Sequence, residues 1–132
     1  MTLREKRELF TELLGAFIDL SKEMLPFNTT FAIDEVYRPQ WVQDIYFKEG
    51  KSKKKISGHS LGLAFDVNVY IDGTYQDGKT PSSKDAYRWF GDLWENICKD
   101  AGVIPSWGGR YGVDKENYEK ELGWDCRHME ML

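Results

Sequence analysis

Between Leu63 and Ile71 the chain alternates strictly, with Leu63, Phe65, Val67, Val69 and Ile71 on one side and Ala64, Asp66, Asn68 and Tyr70 on the other. A run this rich in β-branched and aromatic residues predicts a strand with one face on a core. It also carries a difficulty, because Asp66 stands in the middle of it. A carboxylate in such a place needs a partner, and the small residues Gly62 and Ala64 beside it leave room for a ligand to approach the sheet.

Helical signals flank this strand. Residues 2–25 read as a helix: Thr2 and Glu5 have capping-box spacing, Phe10, Leu13, Leu14, Phe17 and Ile18 form one apolar stripe, and Pro26 ends it. Residues 31–37 read as a short strand. Pro39 suits a first helical position and Gly50 a helix end, which predicts a second helix across Trp41 to Glu49. Asp72-Gly73 and Asp77-Gly78 mark turns. A third helix should start near Ser82 or Ser83, bury Ala86, Trp89, Phe90, Leu93, Trp94, Ile97, Cys98 and Ala101, and close at Gly102. Val103 to Trp107 and Trp124 to Met131 are candidate strands around a Gly- and Tyr-rich loop. About three helices flanking a small, mostly antiparallel sheet make an α+β fold. Without repeats, low-complexity tracts or linkers, residues 1–132 read as a single domain.

Net charge is −4, whereas a general nucleic-acid binder carries a basic excess. The one basic run, Lys51, Lys53, Lys54 and Lys55, reads as a solvated loop, with a docking patch for an anionic polymer or membrane as the alternative. No apolar run approaches the roughly 18 residues of a membrane span, so no stable membrane association is expected. The N-terminus has neither an uninterrupted apolar stretch nor a small-residue cleavage site, against a secretory signal. Cys98 lies on the third helix's apolar stripe and reads as a buried free thiol, and a signal-less chain disfavours its pairing with Cys126.

The sequence has two histidines, His59 and His128. Taken singly, each reads as a surface or satisfied core residue. Together with Asp66 they supply two imidazoles and a carboxylate, a common protein set for catalytic zinc with one position left to water. A structural zinc site, completed by Cys126, is the alternative. Asp125 and His128 are spaced i, i+3, so a turn at Asp125 to Arg127 would bring both to one side. Asp125 could then act as general base beside the metal; its bland reading is a helix or turn cap.

Ser57-Gly58-His59-Ser60-Leu61-Gly62-Leu63-Ala64-Phe65-Asp66 and Asp125-Cys126-Arg127-His128 resemble the two signatures of the zinc D,D-carboxypeptidase and L-alanyl-D-glutamate endopeptidase family, the VanY-like group that includes many phage endolysins. Ser57, His59, Gly62, Ala64 and Asp66 fill every slot of its Ser-x-His-x-x-Gly-x-Ala-x-Asp pattern. Asp125 and His128 fill the later Asp/Glu-x-x-His. Tyr37-Arg38-Pro39 with Gln43 and Tyr46, and Trp107-Gly108-Gly109, are similar to two further segments, so the likeness runs from about residue 31 onward. Arg110, where an acidic residue is frequent, puts that loop's substrate contacts in doubt; Met129, in place of the usual aromatic, should alter only packing.

The resemblance implies a hedgehog/D,D-peptidase-like fold and one Zn2+ per chain on His59, Asp66 and His128. It implies Asp125 as the catalytic carboxylate, Arg38 as the cation that steadies the developing oxyanion, and substrate contacts at Ser57, Gln43 and Trp107. The bland reading of Arg38 is a surface ion pair with Asp34 or Glu35. The expected activity is peptidoglycan hydrolysis by a monomer acting on the stem peptide. A short chain lacking signal and wall-binding domain fits a phage endolysin, made in the cytoplasm, acting on the wall from the host periplasm, and cutting between L-Ala and D-Glu. D-Ala-D-Ala carboxypeptidase or dipeptidase activity is the alternative within the same chemistry. A non-catalytic, zinc-stabilised binding module is the alternative outside it, and the intact Asp125 weighs against it.

Overall fold

The computed structural model describes residues 1–132. Helix α1, Leu3–Met24, opens with the anticipated capping box: Thr2 Oγ1 accepts from the Glu5 amide at 3.1 Å and the Thr2 amide donates to Glu5 at 2.8 Å. Phe10, Leu13, Phe17 and Ser21 form its buried stripe. Strand β1 spans Thr29–Asp34, two residues earlier than the sequence suggests. It stops because Glu35 takes a left-handed backbone, φ 44°, and turns the chain toward α2, Gln40–Lys48. Pro39 caps that helix instead of opening it.

A four-residue helix, α3 (Gly58–Leu61), follows the lysine-rich loop and was not anticipated. Strand β2, Ala64–Ile71, then runs through the centre of the sheet, and β3, Thr74–Tyr75, folds back on it across the Asp72-Gly73 turn. Helix α4, Pro81–Asp100, is capped by Thr80 with Pro81 at its first position, not by Ser82 or Ser83. Its stripe is turned toward Tyr87, whose hydroxyl donates to the Gln76 carbonyl at 2.7 Å; Ala101 is exposed. Strands β4, Pro105–Trp107, and β5, His128–Met131, complete the sheet, with two 3-10 turns and a loop between them.

The order β1-β2-β5-β4 is antiparallel throughout. The fold is α+β, as expected. One face of the sheet packs on α1 and α4 through an aromatic core in which Phe17, Phe65, Phe90 and Trp94 are completely buried. Phe65 meets Trp94 edge-on at 5.1 Å and Phe17 at 5.0 Å. Leu63, Phe65, Val67 and Val69 face this core, and the alternation turns Asp66 to the other side. Cys98 and Cys126 are both buried free thiols.

Candidate metal centre

Pairing between β2 and β5 places Asp66 directly opposite His128. Neighbouring side chains in such a pair lie close enough to share one ligand. His59 arrives from α3, whose orientation is set by Ser57 at its N-cap: Ser57 Oγ accepts from the His59 amide at 3.1 Å. His59 Nε2 stands 3.3 Å from Asp66 Oδ1 and 3.2 Å from His128 Nδ1, while His128 Nδ1 stands 3.5 Å from Asp66 Oδ1. The imidazole planes cross at 76°, so both ring nitrogens can aim at one point.

These spacings suit a single small cation. A tetrahedral ion with bonds of about 2.0–2.1 Å separates its ligand atoms by about 3.3 Å. Asp66 Oδ1 is buried and makes no hydrogen bond of good geometry, a costly arrangement for an ionised carboxylate unless a cation completes it. Two nitrogens and one oxygen form a donor set typical of zinc, and the residues present fit the group. Cys126 is not part of the cluster. Its Sγ lies against Gly78, which removes the fully protein-ligated alternative.

The cluster opens on a cleft of about 560 Å³, lined also by Arg38, Tyr46, Ser57, Tyr111, Trp124 and Asp125. Asp125 sits in the expected turn, with the His128 amide donating to its carbonyl at 3.0 Å. The carboxylates around the cluster differ. Burial alone would raise Asp66, but the His128 and His59 imidazoles beside it more than offset this and hold its pKa well below the usual range. Asp125 goes the other way: burial, with the charge of Asp66 adding to it, raises its pKa despite the nearby cations. The two carboxylates are thus pushed apart by their surroundings, one down and one up.

Arg38 makes the anticipated ion pair with Glu35 and also lines the cleft. Its Nε pairs with Glu35, its Nη1 donates to Gln43 Oε1 at 2.7 Å, and its guanidinium lies 4.8 Å from the centre of the Tyr46 ring. Nη2 takes part in none of these bonds, and the side chain lines the cleft. The structure corrects two substrate contacts. Gln43 is fully buried, and its amide holds Arg38 on one side and Ser52 Oγ and the Lys54 carbonyl on the other, so it braces the cleft wall. Trp107 is 1% exposed. Its indole packs on Gly91 of α4 and donates to the Cys126 carbonyl at 2.8 Å, so it supports the Asp125 turn from beneath. Ser57 does line the cleft, although its hydroxyl is engaged as the α3 cap.

Arg110 leaves the cleft altogether. It bonds Glu95 at 2.8 Å and spans the Trp107 and Tyr118 rings. Met129 is core. The lysine loop is exposed, as expected, and it borders the cleft: Lys51, Lys53 and Lys54 line it, and Lys53 Nζ lies 4.8 Å from the centre of the Trp124 ring. Sequence reasoning missed Trp124 and Tyr111 as cleft residues, and it missed Glu130, whose Oε1 lies 2.9 Å from His128 Nε2.

Fold and cluster together define a small α+β domain with a candidate three-donor metal site in an open cleft. The family model described as D-alanyl-D-alanine carboxypeptidase matches residues 50–119, just over half the chain, and the chain belongs to that peptidase family. The matched stretch contains His59 and Asp66 and ends before Asp125 and His128, which the fold brings to the same cleft. The solved structure of Serratia marcescens L-Ala D-Glu endopeptidase ChiX is similar in fold, with a TM-score of 0.58 at 22% identity over 79% of this chain and 68% of that one. No curated protein sequence matches the chain.

Proposed function

We propose that the protein is a zinc-dependent peptidoglycan peptidase that cuts the stem peptide between L-Ala and D-Glu. The convergence of His59, Asp66 and His128 on one point, inside a cleft that also holds Asp125, is the observation that carries this reading. His59 Nε2, Asp66 Oδ1 and His128 Nδ1 would hold the ion. When bound, zinc supplies Lewis acidity, bringing the pKa of water from about 15.7 toward 7 and polarising the scissile carbonyl.

The chain's own groups do the rest. Asp125 accepts the proton of the attacking water and returns it to the leaving amine, a role its raised pKa suits. Arg38, held by Glu35, Gln43 and Tyr46, turns Nη2 toward the carbonyl oxygen as negative charge builds there. Ser57 orients α3 and, through it, His59. Lys51, Lys53 and Lys54, which line the cleft together with Tyr111 and Trp124, fit a peptide that carries carboxylates.

The description of the matching family favours D-Ala-D-Ala carboxypeptidase activity as the second reading. Digestion of purified peptidoglycan, with fragments weighed by mass spectrometry, separates the two. Endopeptidase action frees stem peptides from the glycan, whereas carboxypeptidase action releases only D-Ala. Either activity should vanish with a chelator and return with zinc. Hydrolysis that persists in the chelator would overturn the metal reading.

A further inference from the structure

Glu130 lies two residues beyond His128 on β5, and in a strand that spacing puts both side chains on the same face. It is 6% exposed, and its Oε1 is 2.9 Å from His128 Nε2, the nitrogen turned away from Asp66 and His59. The backbone beneath it is pinned twice: Trp94 Nε1 donates to the Glu130 carbonyl at 3.0 Å, and Glu130 pairs with Ala64 on one side and Ser106 on the other. The side chain is lodged just as firmly. A Cβ at Gly58 would stand 2.1 Å from Glu130 Oε1, so residue 58 must lack a side chain for the carboxylate to reach its place. Small Ala64, its cross-strand neighbour, leaves further room.

We propose that Glu130 is a positioning residue for the cation site: its carboxylate accepts the Nε2–H of His128 and thereby leaves Nδ1 bare for the metal. The inference rests on the reading that His59, Asp66 and His128 hold zinc. A neutral imidazole carries one proton, and the nitrogen that keeps it is settled by its hydrogen-bond partner. Without Glu130 the proton can move to Nδ1, where it would face His59 and Asp66 and block the ion. An anionic acceptor also makes the ring a stronger donor to the metal. The second imidazole is treated differently, since His59 Nδ1 is buried with no protein partner. Glu130 therefore supplies the orienting contact on one side of the site only. The glycine of Ser57-Gly58-His59 becomes part of the same device, because it vacates the space that the carboxylate fills.

Zinc affinity, measured by competition with a chromophoric chelator, tests this in wild type, Glu130→Gln, Glu130→Ala and Gly58→Ala. Glu130→Ala should weaken zinc binding about 10- to 100-fold. Glu130→Gln, which keeps size and an acceptor oxygen, should lose less and confirms that the fold survives. Gly58→Ala should reproduce part of the loss with Glu130 intact, by displacing its carboxylate. Long-range 15N–1H spectra of the zinc-loaded wild type should show His128 protonated at Nε2 and bound through Nδ1. Unchanged affinity in all three variants, or a His128 proton at Nδ1, would overturn the proposal while leaving the metal reading intact. A wild type that takes up no zinc would instead sink the metal reading. The positioning role, which rests on that reading, falls with it in that case alone.

Discussion

At the scale of single residues, the two carboxylates of the cleft, Asp66 and Asp125, are shifted in opposite directions by their surroundings. Asp125→Ala should leave zinc content unchanged and lower turnover by about 10²–10⁴-fold, as loss of a general base does; near-normal turnover with zinc bound would remove Asp125 from the mechanism. His128 gives a pH test. Burial alone would lower its pKa, but the carboxylates of Asp66 and Glu130 beside it raise it to about 9 from 6.5. A group raised in the folded state stabilises fully below its unfolded pKa and loses that contribution as pH rises through the folded one. Metal-free protein should therefore become easier to unfold in urea between pH 6.5 and 9, and zinc-loaded protein much less so. Equal pH profiles for the two forms would contradict it. His59, Asp66 and His128 were legible as a set because motif spacing and a charge in a strong strand both pointed at them. Glu130 was not, because its neighbours Met129 and Met131 read as strand core. The clue was present all the same: residues 128 and 130 must share a face, and a second acid on the metal face needs a role.

Among the elements, the longer helices and β2 follow from periodicity and caps, while short pieces depend on tertiary contacts. Helix α3 has four residues, below the length at which an apolar period can show, and it exists because Ser57 caps it and Arg7 Nε donates to the Leu61 carbonyl at 2.6 Å. Strand β1 slipped by two residues because the turn at Glu35 answers to Arg38, a partner that local pattern does not reveal. The contact between α4 and β4 makes a stability prediction. A Cβ on Gly91 would lie 2.3 Å from the Trp107 indole, a ring already buried against the Asp125 turn. Gly91→Ala should destabilise by about 1–3 kcal/mol through overpacking, visible as a lower thermal midpoint. It should also reduce turnover more than its effect on folded fraction explains, since Trp107 carries Asp125. A melting point equal to wild type would refute the packing account.

Over the whole molecule, an acidic chain keeps three lysines on the rim of its cleft and both of its thiols inside. Burial raises Cys98 to about 12 and Cys126 to about 11, so neither forms much thiolate near neutrality. Both should react with a disulfide reagent at pH 8 only after denaturant is added; rapid labelling of folded protein would show that one of them is open to solvent. The α+β architecture was legible from the order of patterned segments. Strand order was not, because it depends on which sheet edges the last strand finds.

That strand order has a consequence for how the molecule comes into being. Residues 128–131 lie in the interior of the sheet between β2 and β4, and β4 joins the sheet through them alone. A nascent chain with everything up to Arg127 would have an unzipped platform and a single imidazole. Pairing of residues 128–131 thus completes the sheet and gathers His59, Asp66 and His128 in one closing event.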